Sequence, residues 1–194
     1  VKDRKQTEEQ ILTALDRLFL SKGFTGLGVN AVAKEAGVSK VLIYRYFGGF
    51  DELLEAWALQ NSYWIGGMKR PIPLDDPKKT ARYIFHEYST DLREHPVKRE
   101  VLRWLLAERT ELGIKVMRKI EQEGLAFTRW LGNQFPHNHT ADLEALVALL
   151  STGISYLVLL SDRADVYNGV DLRSQEGWNR IFSVLEQIIE DSFT

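Results

Sequence analysis

Apolar residues recur at three- and four-residue spacing along most of the chain, the period of a helix that buries one face, and no stretch alternates well enough to compete as a strand. Thr7-Glu8-Glu9-Gln10 has the form of a capping box. Ile11, Leu12, Leu15, Leu18 and Phe19 follow on one face, and Gly23 ends that helix. A short helix is expected from Val29 to Ala36, with Val32, Ala33 and Ala36 inward. Gly37-Val38-Ser39 makes a turn, and a second short helix starts behind Ser39 as N-cap and stops at Gly48-Gly49. A longer helix is predicted over 50–65, with Asp51 and Glu52 suiting its macrodipole. The stretch GGMKRPIPLDDP, residues 66–77, has glycines, prolines and no period, and reads as a linker. Further helices are predicted over 78–94, 96–109, 111–135, 140–163 and 174–192, with FPHNH and ADVYNGVD as loops. The expected fold class is all-α, with about nine helices.

The helix behind Ser39, KVLIYRYF, has bulky side chains on every side. Ile43 and Phe47, four apart and near Val38, form the face that pins it to the two preceding helices. Lys40, Val41, Leu42, Tyr44, Arg45 and Tyr46 cannot all be buried as well. Two short helices joined by a glycine-containing turn, supported by an earlier helix, are a helix-turn-helix signature. The outward set suits a major groove: the cations meet phosphates or guanine O6/N7, the phenols bond phosphate oxygens, and the aliphatics pack on thymine methyls. Docking of the same face on a protein partner is the alternative.

Charge changes the picture modestly. The 194 residues are 44% hydrophobic and 27% charged, as in an ordinary globular protein. Net charge is −2, but residues 1–50 hold eight Lys/Arg against five acids, a net of +3, which leaves −5 on the rest. A basic front on an acidic body is what a small nucleic-acid-binding module would need. The absence of cysteine removes disulfides and thiolate chemistry and fits a cytoplasmic location. The polar start VKDRKQTEEQ does not resemble a secretory signal. The most apolar region, 145–160, is interrupted by Ser151, Thr152, Gly153 and Ser155 and is shorter than the ~20 residues of a membrane span, so no membrane partner is expected.

The segment GVNAVAKEAGVSKVLIYRYFGGFDELL, residues 28–54, resembles the N-terminal domain of TetR/AcrR-type bacterial transcriptional regulators. Ala33, Ala36-Gly37-Val38-Ser39, Tyr44, Phe47 and Leu53 carry the likeness, which covers about residues 7–55. It implies a three-helix DNA-binding module over 1–50 and a larger helical ligand-binding and dimerisation domain over 51–194. It also places Ser39, Lys40, Val41, Leu42, Tyr44 and Tyr46 where such regulators touch their operators. Gly28 stands where the family usually has a threonine that caps the second helix and bonds phosphate. Val41 and Leu42 replace a small–Thr pair, and Phe50 replaces a frequent lysine. These departures remove up to about two phosphate contacts per protomer and predict a shallow salt dependence. The DNA-binding set is therefore Gly28, Ser39, Lys40, Val41, Leu42, Tyr44, Arg45 and Tyr46.

Two further sites follow from the C-terminal pattern. The helix over 140–163 is apolar on two sides, Leu143, Leu146, Val147, Leu150, Ile154, Leu157 and Val158 against Ala145, Ala148, Leu149, Tyr156, Leu159 and Leu160. A helix apolar on both sides must be covered on both sides. The expected solution is a homodimer in which this helix and the last one pack on their copies through Leu149, Leu160, Phe182, Leu185 and Ile189. A central helix in a monomeric bundle is the alternative. Aromatic and polar groups on otherwise apolar stripes suggest a small-molecule site formed by Trp64, Tyr88, Trp104, Glu108, Glu123, Phe127, Thr152 and Tyr156, for a mostly hydrophobic ligand. Exposure or a surface ion pair is the other reading of Glu108 and Glu123.

Little recommends other chemistry. His137 and His139, near Asp142, sit in a Pro/Asn loop without metal-ligand spacing, and His86 and His95 have no evident carboxylate partner in sequence. No phosphate loop or nucleophile elbow occurs, so neither enzyme, cofactor nor metal is expected. The sequence therefore points to a homodimeric regulator that binds a palindromic duplex and is released by a small hydrophobic ligand. A helical binding protein or enzyme with a weakened DNA module is the alternative, and a ligand-independent DNA binder a third.

Overall fold

A computed structural model describes residues 4–24, 27–62, 71–136 and 142–193. Among them are nine helices: α1 Arg4–Lys22, α2 Val29–Ala36, α3 Lys40–Phe47, α4 Phe50–Gln60, α5 Pro77–Glu94, α6 Pro96–Ala107, α7 Glu111–Gln134, α8 Leu143–Ser161 and α9 Gln175–Ser192. A two-strand hairpin, β1 Val166–Tyr167 and β2 Val170–Asp171, joins α8 to α9. The all-α expectation holds apart from this hairpin, whose turn is Asn168-Gly169. Both residues have positive φ, 48° and 74°, as the tightest hairpin turns require.

The chain divides into two compact units, Val1–Gly66 with Pro96–Ile120 and Gly67–His95 with Glu121–Thr194. This does not coincide with a boundary at residue 50. α4, α6 and the first half of α7 belong with the helix-turn-helix, because Trp57, Val101, Trp104, Leu105 and Val116 share one core with Ile11, Leu15, Phe19, Val32 and Ile43. In this unit α1 packs on α2, α4 and α6. Gln10 donates to the Ala36 carbonyl at 2.5 Å, and Arg17 pairs with Glu35 at 2.8 Å, tying α1 to α2 from both sides.

Thr7 is not the N-cap that the capping-box pattern suggested. α1 starts earlier, at Arg4, and Thr7 is buried within it. The linker's end does behave as its sequence implies: Pro77 opens α5 and Asp76 caps it, accepting from the Lys79 N–H at 2.6 Å.

Trp57 is fully buried, stacks on Phe19 at 4.4 Å and donates from Nε1 to Asp16 Oδ1 at 2.6 Å. Burial pushes the Asp16 carboxyl above its ordinary value, against the opposing effect of the Trp57 bond. A carboxyl whose folded-state pKa is raised costs stability as pH climbs from its unfolded-state value through the folded one. Asp16→Asn keeps an oxygen for Trp57 and removes that cost. Melting of variant and parent should therefore diverge in the variant's favour as pH rises above about 4, the ordinary Asp value. Parallel melting curves across that range would contradict this account of Asp16.

In the second unit α5 packs against α8 and α9. Its core includes Ile84, Phe85, Leu92, Ile154, Val158, Trp178, Phe182, Leu185 and Ile189. Trp178 donates from Nε1 to the Leu172 carbonyl at 2.8 Å, and a Cβ at Gly177 would lie 1.7 Å from the Asp171 carbonyl oxygen. Only glycine lets α9 start this close to the hairpin. α8 spans 19 residues with a mean hydropathy of 2.0 over its most apolar window, only 11% of it buried. By length and composition it could cross a membrane, so the sequence argument that this region is too short does not hold.

Candidate nucleic-acid interface

The recognition surface is built by the turn between α2 and α3. Gly37 is left-handed, φ 63°, and its N–H reaches the Lys34 carbonyl at 3.2 Å while the Val38 N–H reaches Ala33 at 3.0 Å, closing α2. Ser39 occupies the N-cap position of α3 in extended conformation, although its hydroxyl makes no capping bond. Ile43 is fully buried, and Val38 and Phe47 pack half-buried against the same core. That anchoring turns the opposite side outward: Ser39, Lys40, Val41, Tyr44 and Arg45 are exposed, Val41 by 65% and Tyr44 by 50%.

Two predicted contacts sit differently. Leu42 is only half-exposed, and the Tyr46 ring packs against the core. The Arg4 guanidinium lies 5.3 Å from the Tyr46 ring centroid and pairs with Glu8 at 2.7 Å. Sequence reasoning missed Arg4, which lay ahead of the supposed cap at Thr7. A cation close to α3 had no local sequence signal, because Arg4 and Tyr46 meet only through the packing of α1 on the other helices. Gly28 caps α2 without a side chain. Phe50 is half-buried, and Asp51 and Glu52 are exposed in the first turn of α4, so that helix end carries negative charge.

The predicted ligand residues that are described divide between the two units. Trp64 lies outside the described residues, as do His137 and His139. Trp104 and Glu108 belong to the first unit, and Tyr88, Glu123, Phe127, Thr152 and Tyr156 to the second. Glu108 is no buried carboxylate. It accepts from the N–H groups of Thr110 and Arg109, each at 3.0 Å, and these bonds hold it below the ordinary carboxylate range. Trp104 is buried under Phe24. Its Nε1 has no hydrogen bond of normal geometry, although it assists Glu108 weakly. Glu123 and Thr152 are exposed. Tyr156 is 54% exposed and meets Tyr167 edge-on at 6.1 Å. Phe127 contacts Trp130 at 5.7 Å. Tyr88 does face inward: its hydroxyl lies 2.5 Å from that of Ser155, and burial pushes its phenol up.

An open groove of about 490 Å³ lies between α5 and α9, lined by His86, Thr90, Arg93, Glu94, Asn179 and Phe182. None of the predicted ligand residues lines it. His86 stacks on Phe182 at 3.9 Å and bonds Glu186 at 3.1 Å, a carboxylate partner that sequence inspection did not find.

The predicted dimer residues divide as well. Phe182, Leu185 and Ile189 are buried in the core of their own unit rather than presented on its surface. Leu149 is 75% exposed, and Leu160 is half-buried. The apolar row that α9 turns outward is instead Val184, 63% exposed, with Ile188.

These features define a helix-turn-helix protein, and relatives agree. Residues 11–57 match the family model of bacterial regulatory proteins, tetR family. An uncharacterized HTH-type transcriptional regulator of Mycobacterium tuberculosis is 27% identical over 105 residues, 54% of this chain and 52% of that protein. The chain thus matches about half the length of such curated relatives. An HTH-type regulator of Haemophilus influenzae is 48% identical over 50 residues, 26% of this chain and 27% of its own length. Crystal structures of TetR-family regulators from Haemophilus influenzae and Haloarcula marismortui share the fold, with TM-scores of 0.71 and 0.73. They are 19% and 16% identical, and the matches cover 100% and 98% of this chain and 100% of each of theirs. Residues 11–57 thus carry the helix-turn-helix module of the tetR family of bacterial regulatory proteins.

Proposed function

We propose that the chain is a cytoplasmic, homodimeric transcriptional regulator that binds a palindromic DNA duplex through α3 and is released by a small ligand, acting as a repressor. The observation that carries the reading is the outer face of α3. Val41 stands two-thirds exposed between Lys40 and Tyr44, an aliphatic that gains nothing from water and fits a thymine methyl, beside donors suited to phosphate and base edges. Selection of bound duplexes from a random pool tests it. A palindromic consensus is expected, and a bound pool indistinguishable from the input would reject it.

Dimerisation is supported by α8 and α9. Each packs on α5 and leaves an apolar row outside, with Leu149 and Tyr156 on one and Val184 and Ile188 on the other. A two-fold copy would cover these rows and set two recognition helices about 34–36 Å apart, one turn of duplex. A membrane would cover α8 alone and leaves the row on α9 unexplained. Flotation with vesicles distinguishes the two.

Ligand release is a population shift: the ligand favours an arrangement in which the α3 helices no longer match successive grooves. By linkage, operator must weaken ligand binding by the same factor. Equal ligand affinity with and without operator, read from tryptophan fluorescence, would remove the release mechanism.

The salt dependence of binding gives a sharper check on the cap of α2. Gly28 is extended, φ −175°, and a Cβ there meets nothing within 4 Å, so threonine fits without strain. Stability should hardly change, since Gly and Thr cap about equally well. If the added hydroxyl meets phosphate, it neutralises no charge. Affinity should therefore rise by about 0.5–1.5 kcal/mol per protomer at an unchanged salt slope. Phe50→Lys does add a cation, and the slope should steepen by about 0.9 per protomer. A slope unmoved by Phe50→Lys would place the start of α4 away from the backbone.

A further inference from the structure

The first unit buries a carboxylate that neither its core nor its recognition surface accounts for. Glu55 lies in the middle of α4, 8% exposed, among the core residues Leu53, Leu54, Trp57 and Ala58. Each of its carboxylate oxygens is taken by a different lysine. Lys115 Nζ donates to Oε2 at 2.6 Å, and Lys119 Nζ donates to Oε1. The lysines stand one turn apart on α7, their side chains 58% and 47% exposed, so they neutralise the carboxylate from the solvent side. Both hold the Glu55 carboxyl below its ordinary range.

A carboxylate shared between two cations one turn apart constrains position more than an apolar contact does. Sliding or rotating α4 along α7 would detach one lysine from a nearly covered charge, whereas aliphatic side chains would repack. Buried polar groups are best attested in this register-setting use. α4 packs on α3, and α7 continues past Ile120 into the second unit. Glu55 therefore stands where a displacement of α7 would reach the recognition helix.

We propose that Glu55 is a positioning residue for DNA recognition, the Lys115–Glu55–Lys119 clamp fixing the register of α4 on α7 and so the presentation of α3. The proposal rests on the DNA-binding reading above. It deepens that reading by naming the contact through which the rest of the chain would control α3.

The test uses the full chain and a duplex selected by the parent protein from a random pool, with binding, melting and salt slope measured for each variant. Glu55→Gln, which leaves one acceptor oxygen for two ammonium groups, should weaken binding at least about fivefold in folded protein. Glu55→Asp, charged but a methylene short, should fall between. A triple variant, Glu55→Leu with Lys115→Met and Lys119→Met, should melt no lower than Glu55→Gln, because apolar replacement of such a cluster is often neutral or stabilising. It should still bind at least about fivefold more weakly than the parent, with the parent's salt slope. Parent-like binding by the triple variant, or by Glu55→Gln, would reduce the clamp to a structural pair and overturn the proposal. So would a flatter slope in the triple variant, which would mean that the lysines themselves meet phosphate. If the parent enriches no duplex at all, the DNA-binding reading fails first, which is distinguishable from failure of the clamp alone.

Discussion

Replacing both Lys40 and Tyr44 by alanine should abolish specific duplex binding while leaving the fold intact. Both side chains are exposed on the outer face of α3, and neither contributes to the core that buries Ile43. Exposed substitutions of this kind shift stability by no more than about 0.5 kcal/mol. A base or phosphate contact of good geometry is worth about 1–3 kcal/mol. Two contacts on each of two protomers put the loss at about 4 kcal/mol or more, roughly a thousandfold in Kd. Ligand binding should persist. Unchanged affinity for the duplex, with the double variant folded by circular dichroism, would mean that α3 is not the reading element.

The second large effect concerns assembly. If the proposed dimer forms, Leu149→Glu should leave the protomer folded and separate the two copies, because Leu149 is 75% exposed in the single chain and lies on the row that the proposal covers with a second copy. An unpaired charge in a closed interface costs about 3–5 kcal/mol. Two-fold symmetry places it there twice. Dissociation should rise by about 10⁴-fold or more, and duplex binding should fall with it because the two half-sites are no longer read together. Sedimentation shows the change directly. Ile189→Glu is the contrast: Ile189 is fully buried in its own protomer, so that variant should fail to fold rather than dissociate. A parent that sediments as a monomer at every concentration would remove the interface altogether.

What could be read from the chain alone depended on how local the physics was. The helix-turn-helix was legible because Gly37, Ser39 and the Gly48-Gly49 pair mark its boundaries and Ile43 with Phe47 define its inner face, all within a dozen residues. The two-sided character of α8 was legible too, and its second stripe does face out at Ala145, Ala148, Leu149 and Tyr156. The row of α9 that meets the core was assigned to the wrong side. Phe182, Leu185 and Ile189 form the stronger stripe, and the strongest stripe of a helix is the one its own protomer buries. Val184 and Ile188, the weaker row, stay exposed.

Non-local features were not legible. The hairpin at 166–171 has two residues per strand, too few for an alternating pattern, and only Asn168-Gly169 hinted at it. The split into two units depends on α6 and the start of α7 joining the N-terminal core, which no local pattern announces. For the same reason the candidate ligand residues, chosen helix by helix, fell into different units. Glu55 has no local signal, because Lys115 and Lys119, which hold its carboxylate, lie 60 and 64 residues further along the chain.

The most direct measurement is a structure of the full chain bound to the duplex it selects. Lys40, Val41 and Tyr44 of two protomers should lie in successive major grooves about 34–36 Å apart, with Ile43 still buried behind them. A duplex seated on any other surface, with the outer face of α3 left in solvent, would contradict the assignment.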